Sequence, residues 1–498
     1  MVLAGGASQK RLSVATTYEE WAEIAQELDE KSGALRWKQE EKDSRYDYRR
    51  IRERLDMLRH ARETGDEHEL LFALNEGIHG NLGGIARPAL YNQAIFGTKD
   101  LITNYMIEVE NALNHLADVS DDVIPFEERI DFFRRASHCF GRSALMLSGA
   151  GSLAPFHIGT IKALHQEGLL PDVISGSSGG AFVGAAVGTR SPEELEAIFE
   201  GDAVIDSLYS DYEQEDPSIW PQQLSISTLS RAVEDAIPDL TFEEAYEKSK
   251  IYINISVAPT KSNQKSRLLN VFTAPHVFVR EAVIASCSVP GVFPPVHLAA
   301  KNYDGARKPY LPEMTWIDGS VSDDLPRRRL GRIYSVNHFI ASQTNPAILW
   351  AVRDTNAESN LVRTTLDWWD QIFKANLRAS RPFVRYMTKQ IPGISSLTHM
   401  MYSVALQEYT ADVNIIPSRR LFDPRKILAQ ISPEETLALI ADGERSTWPK
   451  IELIRNSTRI SRCLDAILEE YEHEAERQHS IPSRQKRRRS PSPRKKAA

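Results

Sequence analysis

The chain has 498 residues, of which 42% are apolar and 26% are charged, a balance that allows a sizeable folded core and excludes a fully disordered protein. Its formal net charge is −8, although the tail from Arg484 to Lys496 carries eight positive charges and no acid, which leaves the remainder at −16. A net acidic body argues against nucleic-acid binding. The three cysteines, Cys139, Cys287 and Cys463, lie far apart, so we expect neither a disulfide framework nor a thiolate metal site.

No segment is long and apolar enough for a membrane span, and the first residues lack the apolar core of a secretory signal. We therefore expect a cytoplasmic protein that is soluble or binds a surface peripherally. The Ser-Pro repeats and dense positive charge of residues 476–498 predict a disordered basic tail. The sequence does not indicate an oligomeric state.

Residues 1–142 form a predicted helical N-terminal extension. Thr17 and Glu20 have the spacing of a capping box, after which Trp21 and Leu28 fall on one helix face. The same apolar spacing recurs through several later segments, which a loop rich in glycine and proline, HGNLGGIARPALY, interrupts.

At residue 143 the pattern changes to short apolar segments that alternate with helical ones. The predicted strands are ALML, DVIS, IYINISVAP, TWID and YSVNHFIAS. This alternation is typical of an α/β domain with a mainly parallel sheet. We predict a catalytic core over residues 143–350 and a mostly helical C-terminal region over residues 351–475.

Ser178 is the candidate nucleophile. It is the central residue of a G-x-S-x-G pattern bounded by Gly176 and Gly180, between a predicted strand and the small-residue helix of residues 181–187. The glycines allow a sharp strand-to-helix turn that exposes the central hydroxyl. A tight structural turn is the alternative, and Ser177 is expected to be structural.

A second glycine-bearing turn, SGAGSLAP, joins a predicted strand to a helix. The backbone N–H groups of such a turn point outward with the helix dipole behind them, as an oxyanion hole requires. The predicted oxyanion loop consists of Gly149, Ala150, Gly151 and Ser152. A phosphate-binding loop is the rival interpretation, but neither common phosphate-loop pattern is present.

Asp318, in the segment TWIDGS, is the candidate base for Ser178. It ends a predicted strand and precedes Gly319, so we expect its carboxylate at the same sheet edge as the other two loops. A partly desolvated aspartate could accept the serine proton directly. Alternatively, Asp318 could orient His338 or His399 in a triad, or simply form an Asp-Gly turn.

Two further residues, each expected near one of these motifs, are assigned supporting roles. Cys287 is expected to pack beside the active site without thiol chemistry. His157, close to the proposed oxyanion turn, is a candidate for lining the substrate pocket.

The segments LSGAGSLAPFHIG, ISGSSGGAFVGA and WIDGS, in this order and spacing, resemble the patatin-like phospholipase family. RWKQEEKDSRYDY, GNLGGIARPALY, NHFIASQTNP and WPKIELIRN are similar to its branch of intracellular triacylglycerol lipases with a helical N-terminal extension. The resemblance implies a three-layer α/β fold and a serine-aspartate dyad of Ser178 and Asp318 without a catalytic histidine. No metal or organic cofactor is implied.

The expected activity is hydrolysis of fatty-acyl esters. The oxyanion loop has no arginine or lysine before Lys162, which weakens the case for a phosphate headgroup and favours a neutral glycerolipid, triacylglycerol above all. A phospholipase A or lysophospholipase is the alternative within this class. A non-catalytic lipid-surface scaffold is the alternative from another class.

A basic stripe is the candidate lipid-surface contact. Lys374, Arg378, Arg381 and Arg385 recur at helical spacing among aromatic residues, in a segment without acidic residues. That mixture is typical of interfacial helices and predicts peripheral contact with a membrane or lipid droplet. A solvated basic face over a helical core is the alternative.

Overall fold

A computed structural model describes residues 6–78, 81–199, 222–223, 225–261, 264–345, 411–418 and 429–480. Among these residues, the helices before the first strand are α1 (Gly6–Val14), α2 (Tyr18–Ser32), α3 (Ala34–Gln39), α4 (Tyr48–Thr64), α5 (Glu67–Gly77), α6 (Asp100–Ala117) and α7 (Phe126–Phe140). At the start of α2 the Thr17 side chain accepts the Glu20 amide, as predicted. The Glu20 carboxylate bonds the Thr16 amide instead of that of Thr17, so the capping box closes one residue earlier.

The central sheet has the strand order β10-β9-β1-β2-β4-β5, with β8 also paired to β4. Its strands are β1 (Arg142–Leu147), β2 (Val173–Gly176), β4 (Tyr252–Pro259), β5 (Arg267–Leu269), β8 (Trp316–Asp318), β9 (Val336–Ser342) and β10 (Val413–Ile415). Strands β10, β9, β1, β2 and β4 are parallel, whereas β5 and β8 run antiparallel to β4. All five predicted strands are present, and the mainly parallel α/β fold is confirmed.

The remaining elements flank this sheet. The helices are α8 (Ala154–Gln166), α9 (Gly179–Gly188), α10 (Pro192–Phe199), α11 (Ile226–Ala236), α12 (Phe242–Ser249), α13 (Val279–Cys287), α14 (Ser320–Asp323), α15 (Arg327–Tyr334), α16 (Pro433–Thr447) and α17 (Ile451–Ser480). Two short antiparallel pairs are formed by β3 (Gln222–Gln223) with β11 (Ala429–Gln430), and by β6 (Leu298–Lys301) with β7 (Arg307–Tyr310). None of the described helices is long and apolar enough to cross a membrane.

One hydrophobic cluster joins the N-terminal helices, the sheet and α17. Leu113 and Phe133 of the N-terminal helices, Leu147 and Ile174 of the sheet, and Ile454 of α17 are all buried within it. Burial of apolar surface is the main stabilising contribution to folding, so the helical extension and the sheet stabilise each other.

The C-terminal region contains a strand that the helical prediction missed. Val413–Ile415 extends the central sheet as β10, parallel to β9, and the apolar side chains of Val413 and Ile415 are buried there. The basic stripe and residues 481–498 of the predicted tail lie outside the described residues, whereas residues 476–480 belong to α17. The predicted boundaries at residues 142, 350 and 475 remain predictions.

Candidate active site

Ser178 lies at a strained turn between β2 and α9. Its φ is +52° and its ψ is −124°, a conformation that side chains rarely adopt without support from their surroundings. A Cβ on Gly176 would lie 2.3 Å from the Gly180 carbonyl oxygen, and a Cβ on Gly180 would lie 2.4 Å from that of Leu147. Only glycine at these two positions lets strand and helix approach this closely, which is the physical reason for the motif.

Ser286 holds this turn from the neighbouring helix α13. Its hydroxyl accepts the Ser178 amide at 2.9 Å and donates to the Ser256 carbonyl of β4 at 2.8 Å. The nucleophile's backbone is therefore tied to two further elements. Sequence reasoning missed Ser286, because an isolated serine in an apolar helix carries no pattern.

Asp318 reaches the site from an antiparallel strand. In the parallel pair Gly176 lies opposite Ile255, and in the antiparallel pair Asp318 lies opposite Val257, two residues further along β4. Ser178 is likewise two residues beyond Gly176, so the register brings both side chains to the carboxyl edge of the parallel strands. Asp318 therefore lies at the predicted edge of the sheet. It does so on a strand that runs antiparallel to β4, although the sheet was predicted to be mainly parallel.

The Asp318 carboxyl is 1% exposed, and its burial raises its pKa to about 6. Hydrogen bonds from the backbone and side chain of Ser320 and from the side chain of Ser178 oppose this rise. The Ser320 amide donates to Asp318 Oδ1 at 2.8 Å. A buried carboxylate with this pKa, at the same sheet edge as a serine hydroxyl, is suited to act as a general base near neutral pH.

Gly319 allows the Asp318 backbone to lie against β4. A Cβ at this position would lie 2.1 Å from the Ser256 carbonyl oxygen. The Asp-Gly pair is thus a close-packing requirement of the site, and the Ser256 carbonyl also accepts the Ser286 hydroxyl.

The predicted oxyanion loop lies beside the nucleophile turn, but its first amide is already occupied. The Gly149 N–H donates to the buried Asp324 carboxylate at 2.7 Å. Ala150, Gly151 and Ser152 follow, and Gly151 opens a short 3-10 helix with a φ of +54°. Because the first amides of a helix have no intrahelical acceptor, those of Gly151 and Ser152 suit an oxyanion better than that of Gly149.

Gly179 is a site residue that sequence reasoning missed. A Cβ there would lie 3.0 Å from the Ala150 Cβ and 3.3 Å from the Gly151 amide nitrogen, so the loop packs directly on it. In nucleophile turns of this kind, the amide after the nucleophile is an oxyanion donor. The G-x-S-x-G pattern itself contained this signal.

The His157 side chain forms hydrogen bonds that hold the start of the predicted oxyanion loop. It is fully buried, and its ring nitrogens lie 2.7 Å from the Ser342 hydroxyl and 3.0 Å from the Ser148 carbonyl oxygen. Burial lowers its pKa to about 4, so the ring is neutral at physiological pH. The expectation that His157 lines the substrate pocket is not supported, because its polar atoms bond to the loop framework.

Cys287 packs at the end of α13, as expected. Its thiol is buried, and this burial together with the nearby Asp318 charge raises its pKa, while a hydrogen bond with the Ser178 side chain lowers it. A thiol with a raised pKa is a poor nucleophile, which is consistent with a packing role.

The structure separates His338 from Ser178. His338 lies opposite Ser143 at the beginning of β1, whereas Ser178 follows the carboxyl edge, which β1 reaches at Leu147. Four strand residues correspond to about 13 Å. The His338 ring lies 3.0 Å from the Ser143 hydroxyl, so this histidine cannot complete a triad here. His399, Lys374, Arg378, Arg381 and Arg385 lie outside the described residues.

The described residues contain no cluster of three or more His, Cys, Asp or Glu side chains that could hold a metal ion. The groups around Ser178 are instead a buried carboxylate and backbone amides. Such a site can activate a serine and stabilise an oxyanion, which is the chemistry of acyl transfer.

Comparisons with known proteins agree with this chemistry. Residues 145–330 match the model of the Patatin-like phospholipase family, and residues 5–138 match a domain of unknown function, DUF3336. Triacylglycerol lipase ptl3 of Schizosaccharomyces pombe is 32% identical over 481 residues, which cover 92% of this chain and 96% of that protein.

Two longer relatives are similar to a comparable extent. Triacylglycerol lipase 4 of Saccharomyces cerevisiae and triacylglycerol lipase SDP1L of Arabidopsis thaliana are each 31% identical, over 91% and 93% of this chain. The alignments cover only 52% and 58% of those two proteins.

The protein is therefore a hydrolase of lipid acyl esters whose catalytic domain has a mainly parallel α/β fold. More particularly, the chain belongs to the patatin-like phospholipase family, and the resemblance seen in its sequence motifs is confirmed.

Proposed function

We propose that this protein hydrolyses triacylglycerol with a dyad of Ser178 and Asp318. The proposal is supported by the register of β2, β4 and β8, which brings Ser178 and the buried Asp318 carboxylate to the same edge of the sheet, and by the pKa of Asp318, which burial raises to about 6. Three relatives that match over more than nine-tenths of this chain are named triacylglycerol lipases, which supports this substrate class.

In the proposed reaction, Asp318 accepts the hydroxyl proton of Ser178 while the serine oxygen forms a bond to the acyl carbonyl carbon. Amides at Gly151 and Gly179 stabilise the resulting oxyanion. The ester bond then breaks, and protonated Asp318 returns its proton to the departing alcohol oxygen. A water molecule, deprotonated by Asp318, then attacks the acyl carbon of the acyl-serine. The bond to the serine oxygen breaks, Asp318 returns the proton to that oxygen, and a fatty acid is released.

We favour a neutral glycerolipid over a phospholipid as the substrate, because the loop from Gly149 to Ser152 carries no cationic side chain. A phosphate monoester or diester is usually bound by arginine or lysine, and their absence from this loop removes one such partner. A phospholipase A or lysophospholipase is the alternative that retains the same dyad. A non-catalytic lipid-surface scaffold would need neither Ser178 nor Asp318.

We also propose that the enzyme is cytoplasmic and binds the surface of a membrane or lipid droplet peripherally. The basic stripe of Lys374, Arg378, Arg381 and Arg385 supports this proposal through its sequence pattern. Flotation with anionic vesicles should decrease several-fold when these four residues are replaced by glutamine, while hydrolysis of a soluble ester should not change. Unchanged flotation would contradict the proposed contact.

The activity test compares wild type with Ser178→Ala and Asp318→Ala on emulsified triolein, phosphatidylcholine and a soluble p-nitrophenyl ester. Both variants should lose nearly all hydrolysis, and His338→Ala should retain it. Full activity in Ser178→Ala would contradict the enzyme assignment. A wild-type preference for phosphatidylcholine would support the phospholipase alternative.

A further inference from the structure

A cavity lies at the opposite edge of the sheet from Ser178. It encloses about 300 Å³ between the N-terminal helices, the amino edge of the sheet and α17. Gly141, Ser143 and His338 mark its position at the start of β1 and in the first half of β9. The cavity is therefore separate from the candidate active site.

Two residues of the α17 wall, Asn456 and Ser457, carry buried polar atoms without partners among the described residues. Asn456 is 3% exposed, and its amide nitrogen donates to the Tyr91 hydroxyl at 3.3 Å. Its carbonyl oxygen and the adjacent Ser457 hydroxyl have no partner among the residues that the structure describes. An unsatisfied buried acceptor destabilises the fold, so a ligand that supplies a hydrogen-bond donor would be stabilised here.

The charges around the cavity disfavour an anion. No lysine or arginine is among the described residues that line it, and its one carboxylate belongs to Asp412. That carboxylate is paired with Arg327 and accepts the Phe339 amide at 2.8 Å. Burial lowers the pKa of His338, which also faces Ser143, so its ring is neutral at pH 7. The described lining residues therefore offer no cationic side chain to a carboxylate or phosphate headgroup, and the Arg54 guanidinium, which lies against Gly77, donates to the Ala73 carbonyl oxygen.

The opposite wall is mainly apolar. Ile85, Ile102 and Met106 line it from the N-terminal helical extension, and Leu453 and Ile460 line it from α17. Ligand sites typically combine an apolar lining with a few polar groups that fix orientation. A volume of about 300 Å³ lies at the lower end of such sites, which favours a ligand with one acyl chain over one with three.

We propose that this cavity binds a neutral, single-chain lipid with a free hydroxyl group, such as a monoacylglycerol or a long-chain alcohol. The hydroxyl donates to Asn456, and the chain lies against Ile102 and Met106. The site is formed jointly by the helical extension and the sheet, which gives the extension a ligand-binding role. The assignment does not depend on the identity of the substrate at Ser178.

The test is photolabelling with a monoacylglycerol that carries a diazirine in its acyl chain. The protein is the full chain with Ser178→Ala, so that the probe is not hydrolysed, and labelled peptides are located by mass spectrometry. Label is expected in peptides that contain Met106 or Leu453. An unlabelled monoacylglycerol or alcohol of the same chain length should remove it, and the corresponding fatty-acid anion should not.

Ala86→Phe is the blocking variant, because Ala86 lines the cavity and is only half-buried. Ala89→Phe is the matched control, since Ala89 is also half-buried but does not line the cavity. Ala86→Phe should reduce cavity labelling at least tenfold, whereas Ala89→Phe should not. In the Ser178 enzyme, both changes should leave soluble-ester hydrolysis within twofold.

Asn456→Leu separates the hydroxyl preference from simple apolar binding. In this variant the alcohol and the fatty acid should compete equally with the photoprobe. The melting temperature of the variant establishes that it is folded. Absence of label from both peptides, label that Ala86→Phe does not reduce, or equal competition by the fatty acid would overturn the proposal. Loss of triolein hydrolysis alone would bear only on the proposed function at Ser178.

Discussion

The Asp324 carboxylate accepts the Gly149 amide at 2.7 Å, across 175 residues of sequence. Its second oxygen accepts the Asn345 side-chain amide at 2.9 Å, and its backbone carbonyl accepts the Ser177 hydroxyl at 3.2 Å. Asp324 thus connects the oxyanion loop, the nucleophile turn and the segment after β9. By fixing the first peptide of the loop, it orients the amides that follow.

Asp324→Ala should reduce kcat on the order of 10²-fold with little change in KM, because the loop amides would no longer be held toward the oxyanion. Asp324→Asn retains an acceptor oxygen and should recover part of the loss. Asp323→Ala is the matched control, since Asp323 pairs with Arg329 instead. Steady-state kinetics on a soluble ester, with melting temperatures, would check this. An equal effect on kcat and KM in both Asp324 variants would contradict a positioning role.

The pH profile should report the ionisation of Asp318. Because its pKa is about 6 and the base must be deprotonated, kcat/KM should fall about tenfold per pH unit below pH 6 and level off above it. A hydrogen bond from the Ser320 side chain lowers this pKa, so Ser320→Ala should move the acidic limb to higher pH. Rates on a soluble ester between about pH 4.5 and about pH 7.5, which spans about 1.5 units on either side of pH 6, would test both statements. A limb that Ser320→Ala leaves in place would contradict the assignment to Asp318.

Asp318→Asn should stabilise the fold while inactivating the enzyme. The folded-state pKa of Asp318 is raised above the ordinary value of 3.8, so the native state binds more protons and this carboxyl's contribution to stability falls as pH rises from about 4 to 6. Asparagine cannot ionise, so its advantage should grow over that interval and level off at up to about 3 kcal/mol. Denaturant unfolding of both proteins at several pH values measures the difference. A difference that does not vary with pH would contradict the raised pKa.

Two glycines of α9 should respond oppositely to alanine. A Cβ on Gly180 would lie 2.4 Å from the Leu147 carbonyl oxygen, so Gly180→Ala should destabilise the protein by about 1–3 kcal/mol or more and displace Ser178. A Cβ on Gly184 would meet its neighbours at 3.4 Å or more, an ordinary contact. Gly184→Ala should therefore be neutral or stabilising by up to about 1 kcal/mol, through helix propensity. Thermal unfolding and soluble-ester activity distinguish them, and equal melting temperatures would be inconsistent with this packing.

The predictions from sequence were most accurate where the determining residues are contiguous. The strand, glycines and helix around Ser178 lie within fewer than twenty residues, and the strained turn follows from their steric requirements. Similarly, apolar segments bounded by turn residues indicated the five predicted strands. The resemblance of three motifs to a known family then favoured Asp318 over a histidine as the partner of Ser178.

The tertiary structure decided what depends on chain segments that are distant in sequence. Asp318 reaches the site only because β8 pairs antiparallel with the far end of β4. The bonds of His157, the separation of His338 from Ser178 and the bond between Asp324 and Gly149 arise from packing of elements far apart in the chain. Sequence patterns thus determined the local geometry of the nucleophile, because steric and hydrogen-bonding preferences act over a few residues. The folded arrangement of the sheet, the helical extension and α17 decided which buried polar groups form hydrogen bonds with each other.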